Sequence, residues 1–245
     1  MHYATSDLHG YPLKDFRKLL AKAGFTEDDE LFVLGDVVDR NGDGGIETLR
    51  WMMDQPNIRF ILGNHEDLLL QCRFLFDRIT KPEKPLLTDE QLLLAASWLR
   101  NGAEPTIRSL TDIYCREPKE FDRIMDYLYD APLYSIRQIN GRKYVLVHAG
   151  LGHYEPGKHP YEYADEDLLW TRPSLDERWS ADETVILGHT PTQYYGAGYR
   201  GRMIRTETWI DIDTGAAAGG SPMLLRLEDE TPFYADEDDL PEAGE

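Results

Sequence analysis

Five short apolar runs each lead to a side chain able to hold a metal, through a small residue in four of them and directly in the fifth. Tyr3-Ala4-Thr5 leads into Ser6-Asp7-Leu8-His9-Gly10, and Leu31-Phe32-Val33-Leu34 into Gly35-Asp36. Ile58-Arg59-Phe60-Ile61-Leu62 leads into Gly63-Asn64-His65-Glu66. Lys143 to Val147 leads into His148-Ala149-Gly150, and Thr184 to Leu187 into Gly188-His189-Thr190. Each run has strand length and β-branched, aromatic or leucine content. The carboxyl ends of such strands gather at one edge of an open α/β sheet, where ligands bind. Asp7, His9, Asp36, Asp39, Arg40, Asn64, His65, His148 and His189 are therefore expected at one place.

Between the runs lie helical patterns. Pro12 to Ala23 carries Leu13, Phe16, Leu19 and Leu20 on one face and stops at Gly24. Ile46 to Met53 is a shorter helix. From about 66 to 130 the chain is largely helical. A stripe runs through Leu68, Leu69, Cys72, Leu75, Phe76 and Ile79. Thr88 with Gln91 reads as a capping box, and Pro118 suits the first turn of a helix to Tyr129. Trp209 to Ile212 and Met223 to Leu227 are expected to pair across the glycine-rich loop between them. The order predicts an α/β sandwich of mixed β-sheets flanked by helices, with a helical insertion beside the site. Residues 1–227 are expected to form a single domain, with the insertion at 66–130.

The formal charge is −19, from 26 Lys and Arg against 45 Asp and Glu. Nine of those acids, and no base, fall in 228–245, leaving −10 for the rest. That segment reads as a solvated acidic tail with Phe233 and Tyr234 as its only anchors. The charge argues against bulk nucleic-acid binding, which needs phosphate neutralisation by Lys and Arg. No run reaches the length of a membrane span. No leader pattern follows Met1, so a cytoplasmic location is expected. The two cysteines, Cys72 and Cys115, provide no disulfide framework and read as small buried hydrophobes. Oligomeric state is left open.

Taken singly, each motif has an ordinary reading as a turn or a hydrogen-bonded histidine. Together they give carboxylates, imidazoles and one amide oxygen, a donor set suited to Mn²⁺, Fe or Zn²⁺ and unsuited to copper(I) or iron–sulfur chemistry. Six ligands are too many for one tetrahedral ion and fit two ions sharing a carboxylate.

Ser6 to Gly10, Gly35-Asp36-Val37-Val38-Asp39-Arg40-Asn41, Gly63 to Glu66, His148-Ala149-Gly150 and Gly188-His189-Thr190 together resemble the calcineurin-like metallophosphoesterase signature. Asp39-Arg40 and Glu66 resemble its phosphoprotein-phosphatase branch, above all the small bacterial and phage-type serine/threonine phosphatases. Trp170-Thr171-Arg172, Trp98 to Gly102 with Thr106 and Ser109, and Ile212 to Ala216 resemble further motifs of that branch. Ser6, Asn41, Ala149 and Ala103 depart from its usual glycines without removing a ligand. The resemblance implies that Asp7, His9 and Asp36 hold one divalent ion, most plainly Mn²⁺. Asp36, Asn64, His148 and His189 would hold a second. His65, oriented by Asp39, would serve the leaving group, and Arg40, Arg172 and Asn64 would bind phosphate. The implied activity is a phosphomonoesterase acting on phosphoserine or phosphothreonine proteins, with phosphotyrosine as a further substrate, through a water or hydroxide bound by the two metals. The substrate would be a phosphorylated protein or a small phosphoester. The alternative is symmetrical hydrolysis of a dinucleoside polyphosphate or another diester. A phosphate-binding scaffold without activity is the remote third reading, since pseudo-enzymes usually lose a ligand or the general acid.

Overall fold

A computed structural model describes residues 1–80 and 86–235. Five strands form a first sheet: β1 (His2–Thr5), β2 (Glu30–Leu34), β3 (Ile58–Ile61), β9 (Met223–Arg226) and β10 (Thr231–Tyr234). Their order is β10-β9-β1-β2-β3. The second sheet holds β4 (Tyr134–Ile139), β5 (Arg142–Val147), β6 (Thr184–Leu187), β7 (Ile204–Arg205) and β8 (Trp209–Asp211), ordered β4-β5-β6-β8-β7. β1, β2 and β3 run parallel, as do β5, β6 and β8. The remaining pairs are antiparallel.

Side-chain alternation explains why the runs are largely apolar. Leu31 and Val33 of β2 face the helices, while Phe32 and Leu34 face the other sheet. In β5, Tyr144 and Leu146 enter the core between the sheets, while Val145 and Val147 meet Leu168 and Trp179 on the far side. Strands buried on both faces lose the polar half of the alternation.

Helices α1 (Leu13–Lys22), α2 (Ile46–Met53), α3 (Asn64–Gln71), α4 (Phe74–Thr80), α5 (Asp89–Arg100), α6 (Glu104–Arg116) and α7 (Pro118–Tyr129) cover the outer face of the first sheet or pack on its cover. α8 (Asp165–Leu169) lies beside the second sheet. The capping box of α5 forms: Gln91 N donates to Thr88 Oγ1 at 3.2 Å, and Thr88 N to Gln91 Oε1 at 3.1 Å. The protein is thus an α/β sandwich of two mixed sheets flanked by helices.

Several expectations need correction. β8 and β9 do not pair with each other. β8 joins the second sheet and β9 the first, because the intervening loop crosses from one layer to the other. The acidic segment does not begin as a free tail at 228. β10 pairs with β9, and Phe233 packs near the Tyr3 ring at 6.3 Å between centroids. Residues 236–245 lie outside the described residues. The stripe after Leu68 is two helices, α3 and α4, broken at Cys72-Arg73; the side chain of Ile79 lies outside the described residues. Cys115 is exposed, whereas Cys72 is buried. Among the described residues no helix is long and apolar enough to cross a membrane.

Candidate active site

Both sheets present the carboxyl ends of their parallel strands to the same place. Asp7 and His9 follow β1, Asp36 and Asp39 follow β2, and Asn64 and His65 open α3 after β3. His148 follows β5, and His189 follows β6. All eight are buried. Arg40 and Arg172 are exposed beside them. Glycine serves close approach here. A Cβ on Gly35 would strike the Gly63 backbone, and one on Gly188 would strike the Asp7 carboxylate.

The loops are held in uncommon backbone conformations. Asp7, His9, Asp36, Asp39, Arg40 and His189 all have positive φ, between 43° and 73°. Such angles cost energy in residues with a side chain and persist only where the surroundings fix them. Glu66 supplies much of that fixing. Its Oε1 accepts from the backbone N–H of Val37 and Val38 at 2.8 and 3.0 Å. Its Oε2 accepts from Asp36 and Gly63 at 2.9 and 3.1 Å.

Ring hydrogen bonds decide which imidazole nitrogens are free. His9 Nδ1 donates to Val38 O at 2.9 Å, leaving Nε2 at 3.5 Å from Asp36 Oδ2 and 3.8 Å from Asp7 Oδ1. His148 Nδ1 donates to Leu34 O at 2.7 Å, so its Nε2 lone pair faces Asn64 Oδ1 at 2.8 Å and Asp36 Oδ1 at 3.5 Å. His189 Nδ1 lies 2.9 Å from the same Asn64 oxygen, and its buried Nε2 has no partner. Two groups therefore have metal-ligand spacing: His9, Asp36 and His65, and Asp36, His148 and His189. Asp36 belongs to both, as a bridging carboxylate would.

Protonation points the same way. Burial, reinforced by Asp213, pushes the Asp7 carboxyl well above the usual carboxylate range, and burial beside Asp7 does the same to Asp36. Burial holds His9 well below the usual imidazole value, lowers His148 to about 3, and depresses His189. Lone pairs that converge without protons, beside carboxylates denied their charge, fit a divalent cation, which restores the carboxylate charge and takes imidazole in the neutral form already favoured.

His65 Nδ1 lies 2.7 Å from Asp39 Oδ2, and Arg40 Nη2 donates to His65 Nε2 at 3.3 Å. Asp39 is held in turn. Trp98 Nε1 donates to its Oδ2 at 2.9 Å and Thr106 Oγ1 to its Oδ1 at 2.6 Å. Arg172 Nη1 donates to His189 O and Thr190 Oγ1, both at 3.4 Å. Every expected site residue thus comes to the site. Sequence reasoning does not assign the work of Glu66, Trp98 and Thr106, although each stands inside a quoted motif. Nor does it assign Asp213, whose carboxyl burial raises to about 7. What could have pointed to them is their place inside motifs already quoted, where an acid, an indole or a hydroxyl has no assigned task.

A model of the calcineurin-like phosphoesterase family matches residues 3–211. The chain belongs to that family. Its members use a pair of metal ions, and the chain is accordingly a metallophosphoesterase-type hydrolase. A Neisseria meningitidis protein named symmetrical bis(5'-nucleosyl)-tetraphosphatase is 24% identical over 94% of this chain and 93% of the relative. A Serratia proteamaculans protein of the same name is 26% identical, covering 94% and 92%. A solved structure provisionally described as a diadenosine tetraphosphatase superposes with a TM-score of 0.60 at 18% identity, covering 95% of this chain and 91% of that one.

These relatives overturn the expectation of a phosphomonoesterase of the serine/threonine protein-phosphatase type. The curated proteins matched from end to end carry a dinucleoside tetraphosphatase name instead. The physical reason is that the motifs point to metals and one phosphoryl group, and a phosphoryl group is common to monoesters and phosphoanhydrides.

Proposed function

We propose that the protein hydrolyses dinucleoside polyphosphates symmetrically, with diadenosine tetraphosphate and one water giving two ADP. The observation that carries this reading is the end-to-end match to proteins of that name, by a chain whose site retains every expected ligand, His65 and both arginines.

We assign Asp7, His9, Asp36, Asn64, His148 and His189 to a pair of divalent ions, Mn²⁺ before Fe or Zn²⁺, on the oxygen and nitrogen donor set. Such a pair, when bound, supplies positive charge and a nucleophilic water at neutral pH. Arg40 and Arg172 offer guanidinium forks to the phosphoryl oxygens from the exposed side of the site. His65 presents Nε2 toward Arg40, where a bound phosphoryl group would come, and Asp39 keeps its ring turned that way. Its imidazole serves as proton donor or as added positive charge to the departing oxygen. The electrostatic requirement is severe, because the substrate is polyanionic and the chain carries net negative charge. Local cations must outweigh the overall field.

The test is product analysis with the Mn²⁺-loaded protein. ADP as sole nucleotide product from diadenosine tetraphosphate is expected. ATP with AMP, or no cleavage, refutes the proposal.

A further inference from the structure

The Trp170-Thr171-Arg172 segment sends Arg172 to the phosphate end of the site, but nothing above uses Trp170. Its indole is 38% exposed, although it stands at the rim of a buried constellation. The ring lies 5.9 Å from that of His189, with the planes nearly perpendicular at 82°. Its backbone is fixed by a hydrogen bond from Trp170 N to Glu166 O at 3.0 Å.

Beside it runs an open groove of about 490 Å³, lined by Asp67, Gln71, Asp165, Glu166, Leu169 and Trp170. Asp67 and Gln71 stand on α3 three and seven residues after Asn64, so they share its helical face. The groove therefore leads away from the ligand end of α3. It holds three carboxylates and no cation, which makes it hostile to phosphate. It suits a flat, uncharged group that can stack on indole and donate N–H or O–H bonds to carboxylates and an amide. A nucleoside has both properties, in its base and its ribose hydroxyls.

We propose that this groove binds one nucleoside of the substrate, with the base stacked on Trp170 and the polyphosphate passing Arg172 into the site. The assignment rests on the dinucleotide reading above. It divides the recognition work: arginines take the phosphates, and the acidic groove takes the uncharged end while repelling a misplaced phosphate. Stacking is tolerant of base identity, so adenine and guanine nucleotides are expected to bind with similar strength.

Calorimetry with the Mn²⁺-loaded full chain tests this, with ADP and inorganic pyrophosphate as probes. The unaltered protein is expected to bind ADP about tenfold more tightly than pyrophosphate. Trp170→Leu is expected to collapse that ratio toward unity, and Trp170→Phe to restore most of it. Trp170 is exposed, so the leucine variant should fold. Quenching of indole fluorescence by ADP in the unaltered protein, absent from Trp170→Phe, reports the same contact independently of it. A ratio near unity in the unaltered protein, or one that survives Trp170→Leu, overturns the groove assignment. Cleavage to ADP with that ratio surviving defeats the groove alone. Trp170-dependent ADP binding without cleavage defeats the activity alone.

Discussion

Trp98 of α5 donates its indole N–H to Asp39 Oδ2, the same oxygen that lies 2.7 Å from His65 Nδ1. A helix of the insertion thus braces the His65–Asp39 pair. Trp98 is fully buried, so the bond is made in a low-dielectric setting where a lost partner is felt. Trp98→Phe is expected to lower kcat about tenfold with KM little changed, as loosened orientation would. His65→Asn is expected to lower kcat by about a hundredfold or more while metal content stays the same. Both losses should be greater for an alkyl phosphate than for a phosphoanhydride, whose leaving oxygen needs less help from an acid. Steady-state kinetics on the two substrates, with metal analysis, check this. Unchanged kcat in His65→Asn contradicts the role.

Arg172 approaches the site from its exposed side, and its hydrogen bonds to His189 O and Thr190 Oγ1 are long, both at 3.4 Å. Its guanidinium is therefore available to a ligand. Arg172→Ala is expected to raise both KM and the inhibition constant of inorganic phosphate by about tenfold. Equal phosphate inhibition in the variant and the unaltered protein would refute phosphate contact.

Glu66 accepts four backbone N–H groups with two oxygens. Glu66→Gln turns an NH₂ toward two of those donors and leaves them buried without acceptors. The expected cost is about 2–5 kcal/mol of stability. Metal affinity should fall with it, because the Asp36 to Asp39 loop loses its brace. Denaturant unfolding of the metal-free variant measures the first effect and metal titration the second.

Metal binding should grow stronger as pH rises. Asp7 and Asp36 have raised values in the fold, so the metal-free protein holds protons there that the unfolded chain has released. Their contribution to stability is fully present below the ordinary carboxylate value and is lost as pH climbs through the raised one. His148, lowered to about 3, acts oppositely: its neutral folded form gains relative stability as pH rises from about 3 to the ordinary imidazole value, above which the gain is complete. A divalent ion must displace the carboxylate protons but finds His148 already neutral. The rise in Tm on adding Mn²⁺ is therefore expected to be greater at pH 8 than at pH 5.5, and to vanish with chelator. Scanning calorimetry at the two pH values checks the sign.

The strand-end residues are legible in sequence because each follows a short, mostly apolar run of strand length. Asp7, His148 and His189 come from different sheets, yet strand polarity alone sends all three to one edge. Sheet membership is less legible. β8 and β9 look like a hairpin, and only long-range pairing assigns them to opposite layers. β10 hides in an acidic segment because Thr231 to Tyr234 is short and flanked by charge. Glu66 and Trp98 act through partners some 30 and 59 residues away, a separation no local pattern encodes. Substrate class is illegible for a further reason. In the roles proposed for them, Asp39, Arg40 and His65 address a phosphoryl group, and what lies beyond it would be read by surfaces outside those motifs.

The central claim is substrate class, and it is tested most directly by kcat/KM for diadenosine tetraphosphate and for a phosphoserine peptide, measured side by side with the same Mn²⁺-loaded protein. The dinucleotide is expected to exceed the peptide by about tenfold or more, with ADP as its sole nucleotide product. A higher value for the peptide, or asymmetric cleavage of the dinucleotide, would contradict it.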